Sequence, residues 1–393
     1  MPTVVLHVGA FKTGTSFLQQ TLSDNRETLA DRGILVPADP SGSVFHLFRS
    51  FWTGRDGPPD PASTALVAQC LAWEGSHAVI SAERLSLLRP GGVARLVAAF
   101  APHPVRVVLG ARDLVRTVPS QWQSFARGRT SSRWTYREYV AGVVAGAQSG
   151  PAGRMFWERH DWPAIIDGWG AHAGRDCVRL MTVPHTSTGP DELWWRFAEA
   201  AGFDPRGYRC AATHNTSLGA QSAEVVRRVN QGLAEWPRTP GGAWVDEDHV
   251  LRVMARKSLA DRASDEHRVA FPPEYGTWAD EKTAELVSRL DDLAPVVVGD
   301  LRDLAPVVPS ETPPHATTRP ESLPPEQILA AARYALASMR RAPRDEPADS
   351  GPPSTDASTE DQLDATIAAL VRTIRRRARR QRSVLPGEDS NPY

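Results

Sequence analysis

Near the start of the chain the residues GAFKTGTS, positions 9 to 16, follow directly on the apolar run TVVLHV. A strand that runs into a glycine-flanked turn and then a helix aims several backbone N–H groups and the positive end of the helix dipole at one spot, which favours an anion. Gly9 and Gly14 keep the glycine spacing of the phosphate loop GxxxxGK[ST], but Thr15 stands where that loop has its lysine; the lysine here is Lys12, inside the turn. A second set lies in VRVVLGARDLVRTVPSQWQ, where Arg112 ends a β-branched run and Ser120 follows eight residues later. A guanidinium fork pairs bidentately with a phosphate, and a hydroxyl adds one more donor. A third set could take a proton from an attacking hydroxyl or amine: Glu83, at the end of HAVISAERLS beside Ser81, or His46 in SVFHLFRSFW. Plainer roles stay open for each. Lys12 could sit on the surface of an ordinary turn, Arg112 could pair with Asp113, and Ser120 could cap a helix. Glu83 could pair with Arg84 or cap the helix after Pro90, and His46 could pack among Phe45, Leu47 and Phe48.

The elements that must hold these residues alternate. Short apolar runs at 4–8, 34–36, 77–82, 105–111 and 178–183 are separated by helical patterns, so a parallel sheet covered by helices is expected. Phe17, Leu18, Leu22, Leu29 and Ala30 keep to one helical face until Gly33 stops the run. Further helices are expected at about 161–173, 189–201 and 216–235, the last capped by Thr216 or Ser217. Pro119 is expected to mark the first turn of its helix, with 113–118 as a bent lead-in.

Of the 393 residues 41% are hydrophobic, enough for a sizeable core, and 45 basic against 46 acidic side chains argue against nucleic acid or an anionic membrane as the main partner. No stretch is apolar for long enough to span a membrane and the start has no leader pattern, so a cytoplasmic protein is expected. Cys70, Cys177 and Cys210 form no CxxC pair and the histidines no HExxH, which points away from a disulfide framework or a zinc site. Between 306 and 353 lie eleven of the 33 prolines, the composition of a linker. The expected organisation is a catalytic domain over 1–305, a linker over 306–360 with a short helix near 325–341, a basic amphipathic helix over 361–383 and a disordered end at 384–393. In that last helix Leu363, Ile367, Leu370 and Ile374 share a side, followed by seven arginines between 372 and 382; the arginines suit a solvated face, a self-association contact or a patch for acidic surfaces.

The motif KTGTS after a first strand, with Arg112 and Ser120 farther on, resembles the sulfotransferases that use 3′-phosphoadenosine 5′-phosphosulfate (PAPS). The resemblance implies a P-loop-like, three-layer α/β fold with a parallel sheet flanked by helices. It implies that Lys12 meets the bridging oxygen of the donor, that Thr13, Gly14, Thr15 and Ser16 cradle its 5′-phosphate, and that Arg112 and Ser120 hold its 3′-phosphate. Glu83 stands where many members of that family place their base, with His46 as its rival. The implied co-substrate is PAPS with no metal required, and the implied acceptor is a hydroxyl or amine of a small molecule or glycan. Two other readings remain open: a P-loop kinase, which Asp113 keeps alive, and a nucleotide-binding scaffold acting through its tail.

Overall fold

Val4, Val5, Leu6 and Val8 are wholly buried in the opening strand, as a strand covered on both faces requires. In the computed structural model this strand lies at the centre of a sheet. The structure describes residues 1–37, 45–52, 59–127, 134–185, 189, 191–211, 217–234, 253–307, 317–341 and 357–384.

The chain runs β1 (Thr3–Gly9), α1 (Thr15–Asp24), α2 (Arg26–Asp31), β2 (Ile34–Leu35), α3 (Phe45–Phe51), α4 (Pro61–Leu71) and β3 (His77–Ser81). It continues through α5 (Pro90–Ala99), β4 (Val105–Ala111), α6 (Leu114–Ala126), α7 (Tyr136–Ala145), α8 (Pro151–His160), α9 (Trp162–Ala173), β5 (Val178–Thr182) and α10 (Glu192–Ala201). Then follow α11 (Ala220–Ala234), β6 (Arg268–Val269), α12 (Gly276–Leu293), β7 (Val296–Val298), β8 (Thr317–Thr318), α13 (Pro325–Arg341) and α14 (Thr359–Val384).

These elements fall into two units. The first gathers Met1–Thr117, Val143–Asn215 and Glu274–Val307; the second gathers Val118–Gly142, Thr216–Pro273 and Val308–Tyr393. The first unit holds a six-stranded parallel sheet of order β2-β3-β1-β4-β5-β7. Leu18 and Leu22 of α1, Leu29 of α2, and Trp194 and Phe197 of α10 pack with Val5, Val79, Val108 and Met181 of the strands. Helix α9 packs on β4 and β5, with α5 and α12 beside it. This is the α/β class expected from the alternation of elements. The sixth strand, Val296–Val298, was not among the expected runs; three valines are too short a signal to separate from a loop.

With β1 lying between β3 and β4, the carboxyl ends of three neighbouring strands meet at one edge, and such an edge is where open α/β sheets bind ligands. The turn 9–16, Glu83 and Arg112 follow those three ends.

In the second unit α11, α13 and α14 pack against one another, and β6 pairs with β8. Leu363, Ile367, Leu370 and Ile374 of α14 are all buried there. Glu224 of α11 joins Arg227 and Arg228 of the same helix, and Arg228 reaches Glu360 of α14 at 3.0 Å. Two local expectations are corrected. Helix α11 begins at Ala220, after Gly219, so Ser217 does not cap it; instead Glu266 accepts the Ser222 N–H at 3.0 Å and its hydroxyl at 2.8 Å. Thr216 lies outside the described residues. Pro119 sits inside α6, which already begins at Leu114 because the Asp113 carboxylate accepts the Arg116 N–H at 2.9 Å and starts the helix five residues earlier than the proline suggests. Among the described residues no helix is long and apolar enough to cross a membrane, and all three cysteines are free.

Candidate active site

The turn after β1 is held in an unusual backbone conformation. Lys12 has φ 68°, a left-handed conformation that costs a side-chain-bearing residue about 1–2 kcal/mol, and Gly14 has φ 85° at the N-cap of α1. That helix has no side-chain cap, and of its first-turn N–H groups that of Phe17 closes back on the Gly14 carbonyl at 2.9 Å. Thr13 is buried and donates its hydroxyl proton to the Ala10 carbonyl at 2.7 Å. It fits only because position 110, on β4, is glycine: a Cβ there would stand 2.6 Å from the Thr13 hydroxyl. Thr15 is 3% exposed, and its hydroxyl has no hydrogen-bond partner. Ser16 is exposed at the start of the helix.

Arg112, directly after β4, reaches back to this turn, and its Nη1 donates to the Lys12 carbonyl at 3.2 Å. The two sequence motifs of the first unit are thus joined by a hydrogen bond. The Arg112 Nε is buried without a partner. Burial, and then the nearby Arg116, bring the guanidinium down to about 10, against the pull of Asp113. Asp113 itself is wholly buried and paired with Arg116, whose head also donates to the carbonyls of Val183 and Pro184 beyond β5. The carboxylate that could have occupied Arg112 is therefore committed elsewhere. Ser120, half-exposed on α6, belongs to the second unit.

Glu83 opens a 3₁₀ turn, Glu83–Leu87, immediately after β3. The Ala82 N–H donates to the His7 carbonyl at 2.9 Å, which keeps this segment alongside β1 up to the turn. Burial raises the Glu83 carboxyl above its ordinary value, while Lys12, Arg84 and Arg159 pull it down. The Thr15 hydroxyl adds a small lowering, though it lacks the geometry of a full hydrogen bond. Burial outweighs the three cations, one of them the turn lysine, so the carboxyl stays above its ordinary value. His46 falls on α3, but its side chain lies outside the described residues.

Three further residues join the site that the sequence did not single out. Arg159 and His160 form the last turn of α8, and the Arg159 guanidinium lies over the Phe11 ring at 5.3 Å. His160 is buried against Phe156, with ring centroids 4.5 Å apart, and is held neutral by burial first and then by Arg159 and Lys12. His7 of β1 is buried in register with Ser81, its Nδ1 2.8 Å from the Ser81 hydroxyl, and burial lowers it to about 4. A polar residue in an otherwise apolar central strand was the one available signal for His7. Nothing in the sequence brings 159–160 to the turn.

Among the described residues no group of three His, Cys, Asp or Glu side chains is placed to hold a metal ion. No protein-family model and no curated protein matches the chain. Among solved structures, a sulfotransferase from Alicyclobacillus acidocaldarius is similar over 68% of this chain and 96% of its own, at 15% sequence identity and a TM-score of 0.36, a likeness too remote to assign residues.

Proposed function

We propose that the chain is a sulfotransferase that moves the sulfuryl group of PAPS to a hydroxyl or amine of a small molecule or glycan. The observation that carries this reading is a pair of buried donors, the Thr15 hydroxyl and the Arg112 Nε, that have no hydrogen-bond partner and belong to the two segments joined at the Lys12 carbonyl. Buried polar groups are almost always satisfied, and donors left over around a helix N-terminus fit an anionic ligand.

In this reading the turn N–H groups, the Thr15 hydroxyl and Ser16 hold the 5′-phosphate. Thr13 shapes the turn, since its own proton goes to Ala10. Arg112 pairs with the 3′-phosphate, with Ser120 as a second donor carried over from the resemblance. The acceptor atom attacks sulfur, the bond from sulfur to the bridging oxygen breaks, and Lys12 neutralises the charge that grows on that oxygen. Glu83 takes the acceptor's proton, and 3′-phosphoadenosine 5′-phosphate leaves. A kinase would call on Asp113 to hold magnesium, but that carboxylate is buried and paired with Arg116.

A thermal-shift panel tests the reading. The desulfated nucleotide, 3′-phosphoadenosine 5′-phosphate, should stabilise the protein by about 2.7 kcal/mol at a hundredfold excess over its dissociation constant. ADP, ATP and GTP should do less, with or without magnesium. Stronger stabilisation by ATP with magnesium would replace this reading with the kinase one.

A further inference from the structure

We propose that the cavity between the loop 202–208 and the amino ends of β2 and β3 binds a small organic carboxylate with a flat apolar body. It lies within the first unit, at the edge of the sheet opposite the glycine turn, so it stands whether or not that turn holds PAPS.

The cavity has a volume of about 610 Å³, within the roughly 300–1,000 Å³ of small-molecule sites. Ile34, Phe203 and Tyr208 form its apolar wall, and Arg32, Arg206 and His77 are among its polar groups. Side chains two residues apart on a strand share a face, so His77 of β3 and Arg106 of β4 stand on the face that carries Val79 and Val108. Two glycines let guanidinium groups lie against the loop. A Cβ at Gly202, φ 93°, would collide with the Arg106 Nη1, and one at Gly207, φ 81°, would stand 2.6 Å from the Arg32 Nη2. Arg206 is the third guanidinium, and it is paired with Asp204 of the loop at 2.7 Å. Arg106 donates to the Ala201 carbonyl at 2.8 Å and Arg32 to the Arg206 carbonyl at 2.5 Å; among the described residues neither has a carboxylate partner. The Arg32 head also lies over the Tyr208 ring at 4.8 Å, which sets its plane along the apolar wall. With its Nη1 spent on a carbonyl, the Nε–Nη2 edge of Arg32 keeps the geometry that takes a carboxylate by two parallel hydrogen bonds. Burial, and then Arg106, lower the His77 imidazole below its ordinary value, so at neutral pH it offers hydrogen bonding while the arginines supply the charge. Arginine in excess over acid selects an anion, and the rings of Phe203 and Tyr208 select a flat apolar body beside it. Asp204 offsets part of the charge, which favours a single carboxylate over a polyphosphate.

The test is an NMR titration of the full chain, labelled with ¹³C at the isoleucine methyl groups, with 2-naphthoate as the probe and Ile34→Val to assign the Ile34 signal. Naphthoate should shift the Ile34 methyl through the ring current of its aromatic body. The neutral 2-naphthalenemethanol should bind more weakly. Arg32 and Asp204 are both exposed, so their substitution leaves the fold intact and acts through screened charge. Arg32→Gln should weaken naphthoate by about fivefold or more, and Asp204→Asn, which frees Arg206, should tighten it by about two- to fivefold. Lys12→Ala and Arg112→Ala should leave the Ile34 response as it is in the parent. An Ile34 methyl that naphthoate does not move overturns the proposal, as does an affinity equal in the parent, Arg32→Gln and Asp204→Asn. A response lost in Lys12→Ala or Arg112→Ala but kept in Arg32→Gln would put naphthoate at the glycine turn and also overturn it. Inorganic phosphate provides the last comparison: binding as tight as that of naphthoate at Ile34 would mean a site for bare anions and overturn the apolar half of the assignment.

Discussion

At the scale of single residues, Lys12 and Glu83 divide the work between leaving group and acceptor. The charge on the bridging oxygen grows as its bond to sulfur breaks, so Lys12 should favour the transition state over the bound nucleotide. Lys12→Ala is expected to lower turnover by about 10²- to 10³-fold while binding of the desulfated nucleotide weakens less, as steady-state kinetics and calorimetry would show; equal losses would make Lys12 a plain anchor. Glu83→Gln keeps size but cannot take a proton. Donor binding should survive, turnover should fall about 10²- to 10⁴-fold, and the acid limb of the pH profile, raised in the parent by burial of Glu83, should vanish. His7 gives a prediction on stability. Its imidazole is lowered to about 4 in the folded chain against an ordinary 6.5, so the unfolded chain binds the extra proton between those limits. Stability is therefore full above about pH 6.5 and is lost as the pH falls toward 4, by on the order of 3 kcal/mol if no other group intervenes. Urea unfolding at pH 7 and pH 5 should show a smaller loss in His7→Gln than in the parent.

At the scale of elements, the site depends on how closely β4 approaches the turn. Gly110→Ala places a methyl 2.6 Å from the Thr13 hydroxyl, and overpacking of this kind costs about 1–3 kcal/mol. A lowered melting temperature together with weakened nucleotide binding is expected; a lowered melting temperature alone would mean that Thr13 does not shape the cradle. The strand-turn-helix was legible because its residues are neighbours in sequence: β-branched residues, then glycines at a fixed spacing, then an apolar helical face. Arg112 was legible for the same reason, as the residue that closes a β-branched run. What was not legible depends on tertiary placement. Arg159 meets Phe11 only because α8 packs against the turn after β3, and no local pattern encodes that. Pro119 misled because a buried aspartate, not the proline, starts α6. The cap expected at Ser217 is supplied by Glu266, from a distant part of the chain.

At the scale of the whole molecule, each unit has its own core. In the second unit Ile374 is wholly buried on α14, so Ile374→Ala should cost about 2–5 kcal/mol in urea unfolding; no loss would mean that α14 is not packed as described. The apolar stripe of that helix is covered by α11 and α13 of the same chain, a use of the stripe that its sequence alone did not distinguish from a contact with a second copy. In the first unit the account rests on one claim: that the turn after β1 and the arginine after β4 together bind a nucleotide with phosphates at both the 5′ and 3′ positions. Isothermal calorimetry of the full chain with 3′-phosphoadenosine 5′-phosphate and with AMP, repeated on Arg112→Ala, measures this directly. The parent should prefer the doubly phosphorylated nucleotide, and Arg112→Ala should erase that preference, a loss of about 1.5 to 3 kcal/mol for a charge-assisted contact. A parent that binds the two nucleotides equally, or an Arg112→Ala protein that keeps the full preference, would contradict the account.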